Sequence, residues 1–281
     1  MFFDAHLRGE GLSRRDVADL RFFGVEGALC ASADATAPAT AARLRKSWEE
    51  LAGPTIGRLR RAGLAAFAAL GIPPRSIPRR GLEALLGELP ELLSQPQVVA
   101  IGPVGLEVGS EREEMAFLRQ LEMARELRLP VLVHTPARAD KVRLTRRVLA
   151  LLKEMEVDPR RVLVDQADAR TVRIIRSVGY AAVIPLSAGR PGGGSAVEEA
   201  ARLVRTLGPE GLVLSSDAGE GLGDLLALPR AADRMARLGL SEAVIRRVCG
   251  RNALDALRLE ASALRALGRA PTARSVPRTS P

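Results

Sequence analysis

Short β-prone runs of apolar residues alternate with longer stretches whose apolar positions recur at helical spacing, almost from end to end of the chain. The short runs read as strands at Phe2 to Ala5, Val25 to Cys30, Ala65 to Leu70, Val98 to Val104, Val131 to Val133, Val162 to Val164, Ala181 to Leu186 and Leu212 to Ser215. Several are nearly pure apolar residues, as expected of strands covered on both faces. Helical patterns fall between them at 14–21, 44–61, 81–93, from Ser110 onward, and at 143–155, 169–178, 197–207 and 226–238. Such alternation predicts a parallel sheet with crossover helices, and the count of eight units favours a closed α/β barrel, the (β/α)8 TIM barrel, over an open doubly wound sheet.

Local signals sharpen the boundaries. Ser110 with Glu113 three residues later forms a capping box, which opens a helix whose Met115, Leu118, Leu121 and Ala124 make one apolar face. Ser13 is placed to cap the first helix, and Asp158-Pro159 and Gly208-Pro209 mark turns before the sixth and eighth strands. Ser241 to Cys249 and Asn252 to Leu259 read as extra C-terminal helices covering the barrel. A single barrel domain over 1–262 is expected, followed by a basic Pro-, Arg- and Ser-rich tail over 263–281 that lacks periodicity and should be disordered.

Composition adds exclusions. With 47% hydrophobic and 27% charged residues the chain has a globular balance, and no apolar run approaches the ~18 residues that span a bilayer. The opening MFFDAHLRGE has no basic segment followed by an apolar one, so a cytoplasmic address and no membrane partner are expected. Cys30 and Cys249 lie far apart and belong to no Cys/His cluster, and are expected to be buried free thiols. The net charge of +9 suggests nucleic acid as a partner. Yet Lys46, Lys141 and Lys153 are the only lysines, and the arginine bias in a chain rich in Ala, Gly, Leu and Pro is what a GC-rich genome produces. Arg265, Arg269, Arg274 and Arg278 moreover sit in an acid-free tail, so no dedicated nucleic-acid surface is expected.

In a barrel of this kind chemistry sits at the C-terminal ends of the strands. The only two histidines, His6 and His134, both follow predicted strands directly; Asp165 and Gln166 follow the sixth, and Asp217 follows the eighth. A lone histidine is usually a hydrogen-bonded structural residue, but two at one barrel mouth point to a shared site. The segment Ala188 to Ser195, with Arg190, Gly192 and Gly193, follows the seventh strand and precedes a helix, where barrels often bind phosphate through loop amides.

The segments FFDAHLRG, VVAIGPVGLE, LRLPVLVHTP, RVLVDQ and LVLSSDAG occur in this order over the barrel, and RNALDAL closes it. Together they resemble the first, fourth, fifth, sixth and eighth strand segments and the Asn-containing final helix of the TatD-related metal-dependent hydrolases, an amidohydrolase-like branch of TIM barrels, with LPVLVHTP the strongest match. The resemblance implies one or two divalent cations held by a His-x-His pair, a strand-four Glu, histidines on strands five and six and a strand-eight Asp, activating water for hydrolysis, often of phosphodiesters. His6, His134 and Asp217 match that pattern, whereas Arg8, Pro103 and Gln166 stand where the second His, the Glu and the strand-six His are expected.

These departures have chemical meaning. Arg8 puts a permanent cation beside a site meant for another cation, Pro103 removes the carboxylate that would bridge two metals, and Gln166 offers a neutral amide in place of imidazole. The preferred expectation is a TatD-like pseudoenzyme that has lost two-metal hydrolysis, holds no metal cofactor and binds a small ligand or partner. An anionic ligand is the candidate that Arg8, Arg190, Gly192 and Gly193 suggest. The alternative is a hydrolase of a phosphoester or amide with one zinc or manganese on His6, His134 and Asp217, Asp217 doubling as general base and Glu107 contributing by a loop shift. A DNA-processing nuclease is a third reading, disfavoured by the lost ligands. The preference turns on Arg8, whose natural partner is Asp217; an Asp217 committed to Arg8 is not free for metal. Deleting residues 265–281 should remove most residual retention on DNA. A truncated protein that still binds DNA tightly, with a steep salt dependence, would contradict this.

Overall fold

The computed structural model describes residues 1–32, 40–136, 140–186, 196–219 and 223–268. Eight parallel strands, β1 (Phe2–Leu7), β2 (Val25–Ala31), β3 (Ala65–Leu70), β4 (Val98–Gly105), β5 (Val131–His134), β6 (Val162–Val164), β7 (Ala181–Pro185) and β8 (Leu212–Ser215), pair in sequence order. The sheet returns on itself where Leu7 bridges Ala218: the Arg8 N–H donates to the Ala218 carbonyl at 2.9 Å and the Asp217 N–H to the His6 carbonyl at 3.1 Å. The architecture is thus the expected TIM barrel.

Burial on both faces follows from the apolar runs. On β3, Ala65, Phe67 and Ala69 face the barrel interior, while Ala66, Ala68 and Leu70 face the surrounding helices. The interior is packed by Phe3, Leu29, Phe67, Leu132, Leu163 and Val213, so it is a core and not a pore. Its N-terminal end is plugged by Leu254 and Leu257 of the helix Asn252–Leu257 and by Leu264 of the helix Ala261–Leu267. Asn252 fixes the plug, its side-chain amide donating to the Pro209 and Leu212 carbonyls at 2.7 Å each. The last helix therefore runs past the expected domain boundary at 262, with Leu264 fully buried; the tail from 269 lies outside the described residues.

Three local expectations are corrected. The helix expected over 44–61 is Ala41–Glu50 and Ile56–Arg61 joined by a π-helical turn at Leu51–Thr55, where Pro54 supplies no N–H for a regular helical bond. The helix Glu111–Glu126 buries Ala116, Phe117, Gln120, Leu121 and Ala124, whereas Met115 is 37% exposed. That face is rotated because Gln120 is drawn inward, accepting the Ile72 N–H at 2.7 Å and donating to the Ala116 carbonyl at 3.0 Å. The capping box at Ser110 is half formed: Ser110 Oγ accepts the Glu113 N–H, but the Glu113 carboxylate turns to the N–H groups of Glu107, Val108 and Gly109. Ser13 and Asp16, by contrast, form a complete box.

Cys30 and Cys249 are buried free thiols. No helix among the described residues is long and apolar enough to cross a membrane. Because Leu264 sits in the interior plug, Leu264→Ala should destabilise the fold by about 2–4 kcal/mol, while Met115→Ala should change stability by less than about 0.5 kcal/mol. Chemical unfolding of the two variants checks this; equal effects would place Leu264 outside the core.

Candidate functional site

The barrel mouth is assembled by strand ends. His6 lies near the end of β1 with Arg8 just beyond it, His134 ends β5, Asp165 and Gln166 follow β6, and Asp217 follows β8. The seam between β8 and β1 holds the first and last of these together. Asp217 and Gln166 are both left-handed, at φ 51° and 62°, a conformation that non-glycine residues adopt only when their surroundings enforce it. Asp217 is enforced by its own N–H bond to His6 and by Arg8 bonding the next carbonyl. Gln166 is held by Lys141, whose ammonium donates to the Gln166 carbonyl. Gly219 has to be glycine: at φ +138° a Cβ there would stand 2.3 Å from the Arg8 carbonyl oxygen.

Two linked groups of side chains line this mouth. In the first, His6 Nδ1 bonds Asp165 Oδ2 at 2.6 Å, while His6 Nε2 and Arg8 Nη2 each stand 3.9 Å from Asp217 Oδ1. Gln166 Nε2 donates to Asp217 Oδ2 at 3.2 Å. In the second, Glu107 bridges His134 Nε2, 3.1 Å from its Oε2, and Arg75 Nη2, which donates to its Oε1 at 2.7 Å. Thr135 Oγ1 donates to the Asp165 carbonyl at 2.7 Å, tying the β5 end to the β6 end. Lys141 Nζ also lies 4.0 Å from Asp168.

Charge follows from this packing. Burial opposes a charged His6 ring, but Asp165 and then Asp217 outweigh it and raise its pKa to about 9. Asp165 is held below the usual carboxylate range despite its burial, by the His6 ring that bonds it. Burial alone would raise Glu107; the bonds from His134 and Arg75 instead bring it down to about 2. Behind the mouth, burial lifts Asp4 to about 6 even though its carboxylate accepts the N–H groups of Ser216 and His6 at 3.0 and 3.2 Å.

Of the positions singled out in the sequence, His6, Arg8, Gln166 and Asp217 come together directly. His134 joins them through its neighbours, and Pro103 is buried within β4 with no ligand atom to offer. The strand-four carboxylate at the mouth is Glu107, already engaged by His134 and Arg75 without any loop shift. Arg190, Gly192 and Gly193 lie outside the described residues. Sequence reasoning assigned no role to Asp165, Arg75 or Lys141. Asp165 had a signal, its place directly after β6; Arg75 and Lys141 lie away from strand ends and carried none.

The pKa shifts set the pH dependence of stability. His6 binds its proton more tightly in the folded chain, so its contribution is complete below its ordinary value of 6.5 and is lost as pH rises through about 9. Glu107 contributes fully above 4.5 and loses that contribution as pH falls toward about 2. Urea unfolding across pH should show both limbs, with His6→Gln flattening the alkaline one and Glu107→Gln the acid one. An unchanged alkaline limb in His6→Gln would refute a charged ring.

Comparison with known proteins agrees with this architecture. Residues 21–185 match the family described as TatD related DNase. An uncharacterized metal-dependent hydrolase of Methanocaldococcus jannaschii is 29% identical over 239 residues, covering 85% of this chain and 92% of that protein. The crystal structure of a TatD-like protein from Archaeoglobus fulgidus superposes with a TM-score of 0.75 at 27% identity, covering 92% of this chain and all of the other. A TatD homolog from Escherichia coli K12 shares the fold, with a TM-score of 0.67 at 17% identity over 92% of this chain and 98% of its own. With eight ordered strands, the mouth residues at their C-terminal ends and more than half of its 281 residues matched, the chain belongs to the TatD-related DNase family.

Proposed function

We propose that this TatD-like barrel has given up two-metal hydrolysis and works as a metal-free protein that binds a small ligand at its mouth. The observation that carries the reading is the environment of Asp217. Its Oδ1 faces the Arg8 guanidinium as well as the His6 ring, each 3.9 Å away, and its Oδ2 takes a hydrogen bond from Gln166, so two of the three side chains around the strand-eight carboxylate stand where the family resemblance implies histidine ligands that are absent. A guanidinium cannot be deprotonated to ligate a metal and repels a second cation. Glu107 is likewise neutralised by Arg75, and its other oxygen is taken by His134. The donor set does not fit two divalent ions, which need shared ligands about 4 Å apart. Among the described residues, no three His, Cys, Asp or Glu side chains converge as a metal site requires.

An anion is one candidate for the small ligand or partner, on the strength of Arg8, Arg190, Gly192 and Gly193; of these Arg8 already faces Asp217, so an anion there would have to compete with that carboxylate. A cytoplasmic address is part of the same proposal, favoured by two buried thiols that remain unpaired.

A second reading keeps one zinc or manganese on His6, His134 and Asp217, in an enzyme hydrolysing a phosphoester or amide. Two observations favour it: the M. jannaschii relative is named a metal-dependent hydrolase, and Asp217 Oδ1 accepts no hydrogen bond while facing His6 Nε2. It requires His134 to leave Glu107 and Arg8 to withdraw. Calorimetric titration with zinc and manganese separates the two. The wild type should bind neither stoichiometrically. The combined variant Arg8→His, Pro103→Glu, Gln166→His should bind one or both, with the proton release that coordinating histidines give, while the single replacements should do little. One tight equivalent in the wild type would overturn the metal-free reading in favour of the mononuclear hydrolase.

A further inference from the structure

The first helix, Arg14–Phe22, packs Val17 and Leu20 against the barrel and ends in an aromatic pair turned to solvent. Phe22 is 83% exposed and Phe23 47%, their rings meeting edge to face at 5.1 Å. Single apolar residues scattered over a surface need no explanation, but two adjacent exposed rings form a patch that another surface would cover. Arg15, Ala18, Asp19 and Phe22 follow one another at helical spacing on the side opposite Val17 and Leu20, and the first three are exposed as well. Their charges are left open. Arg45–Glu49, Lys46–Glu50 and Arg251–Asp255, with the same order of charges and the same four-residue spacing, close ion pairs within the chain. Arg15 and Asp19 form none among the described residues, and Asp16, the acid beside Arg15, is taken by its capping box with Ser13.

We propose that this outer face of the first helix is where two copies of the chain associate, as an antiparallel, two-fold symmetric helix pair. Ala18 lies at the centre and lets the two helices come close. Arg15 of each copy reaches Asp19 of the partner subunit, and each Phe22 lies along the stem of the partner's Arg15, under its guanidinium. The face lies outside the barrel, so the proposal goes beyond the ligand-binding reading and does not depend on what the mouth holds.

Charge selects both the partner and its direction. The stripe carries a cation at one end and an anion one turn on, so it complements a reversed copy of itself. Parallel helices would set Arg15 against Arg15 and Asp19 against Asp19. An anionic bilayer or a nucleic acid would suit Arg14, Arg15 and Arg21, but would press phosphates against Asp19, which stands one turn from Phe22 on the same face. The rings also cross at 85°, so they offer an interlocking wedge instead of the flat faces on which bases stack. With one helix of 9 residues at its centre the contact is smaller than a standard interface, so the dimer is weak and exchanges with monomer.

Sedimentation velocity on the full chain from about 5 µM to about 0.5 mM, the range in which small interfaces associate, reads this directly. The wild type should pass from monomer towards dimer, and Phe22→Ser should weaken association at least about tenfold. Arg15→Asp and Asp19→Arg should each weaken it alone, whereas an equimolar mixture of the two variants should associate again, because each then meets the opposite charge on its partner. That rescue cannot arise within one chain. All these side chains are exposed, so unfolding midpoints should match the wild type, and loss of folding is separable from loss of contact. Monomer throughout the range, undiminished association of Phe22→Ser, or a mixture no better than either variant alone would overturn the proposal. So would retention on phosphatidylglycerol vesicles or on single-stranded DNA that Phe22→Ser abolishes while the wild-type chain stays monomeric, which would give the face to lipid or nucleic acid.

Discussion

The seam at which β8 returns to β1 is the constraint on which the rest of the molecule depends. A barrel has no sheet edge only if its last strand bonds its first, and here that contact is short: the Leu7–Ala218 bridge, with the Arg8 N–H on Ala218 and the Asp217 N–H on His6. The β1 register is irregular between Asp4 and Leu7, which takes backbone groups out of the regular ladder. Asp4 compensates by accepting the Ser216 and His6 N–H groups with one buried oxygen. Its carboxyl, raised to about 6 by burial, is a structural device at the root of the mouth. The seam also forces Asp217 into left-handed backbone and sets Arg8 and His6 opposite its carboxylate. Closing the fold and assembling the site are therefore one event.

How much of this was legible in the sequence depended on whether the signal was local. Runs such as Ala65 to Leu70 and Leu212 to Ser215 are unambiguous because both faces are buried and no polar residue interrupts them. Strand ends then locate His6, His134, Gln166 and Asp217 without further information. The misplaced face of Glu111–Glu126 shows the limit: Met115 fits the helical spacing, but the decision lies with Gln120, a polar residue drawn inward by the main chain of Ile72 far away in sequence. Glu113 was likewise readable as a capping partner, yet three loop amides outbid the single one at Ser110. Arg75 and Lys141 were invisible for the same reason: each reaches the mouth from a segment between strands, and its partner is set by tertiary folding.

The mouth carries several charges, some of them buried, and buried charges are tolerated only when paired and hydrogen-bonded. Asp165 with His6, Glu107 with Arg75 and His134, and Asp217 with Arg8 and Gln166 meet that condition in part, leaving Asp165 Oδ1, Asp217 Oδ1 and Arg8 Nε without partners. Removing one member of such a pair strands the other, so variants at these positions report on electrostatics as well as on chemistry.

The three departures from the family pattern do not weigh equally. Pro103 and Gln166 each subtract a ligand, and a site can survive the loss of a ligand with weaker affinity. Arg8 adds a charge of the same sign as the ion that the family pattern implies. Two unit charges about 4 Å apart interact by roughly 4 kcal/mol at the effective dielectric typical near a protein surface. For a divalent ion placed beside Asp217, the repulsion from Arg8 would double that figure and oppose the carboxylate's attraction. The same guanidinium stands 3.9 Å from Asp217 Oδ1, as the His6 ring does, so the carboxylate already has two cationic neighbours within the fold. Of the three departures, Arg8 is therefore the one that weighs most heavily against a divalent cation beside Asp217.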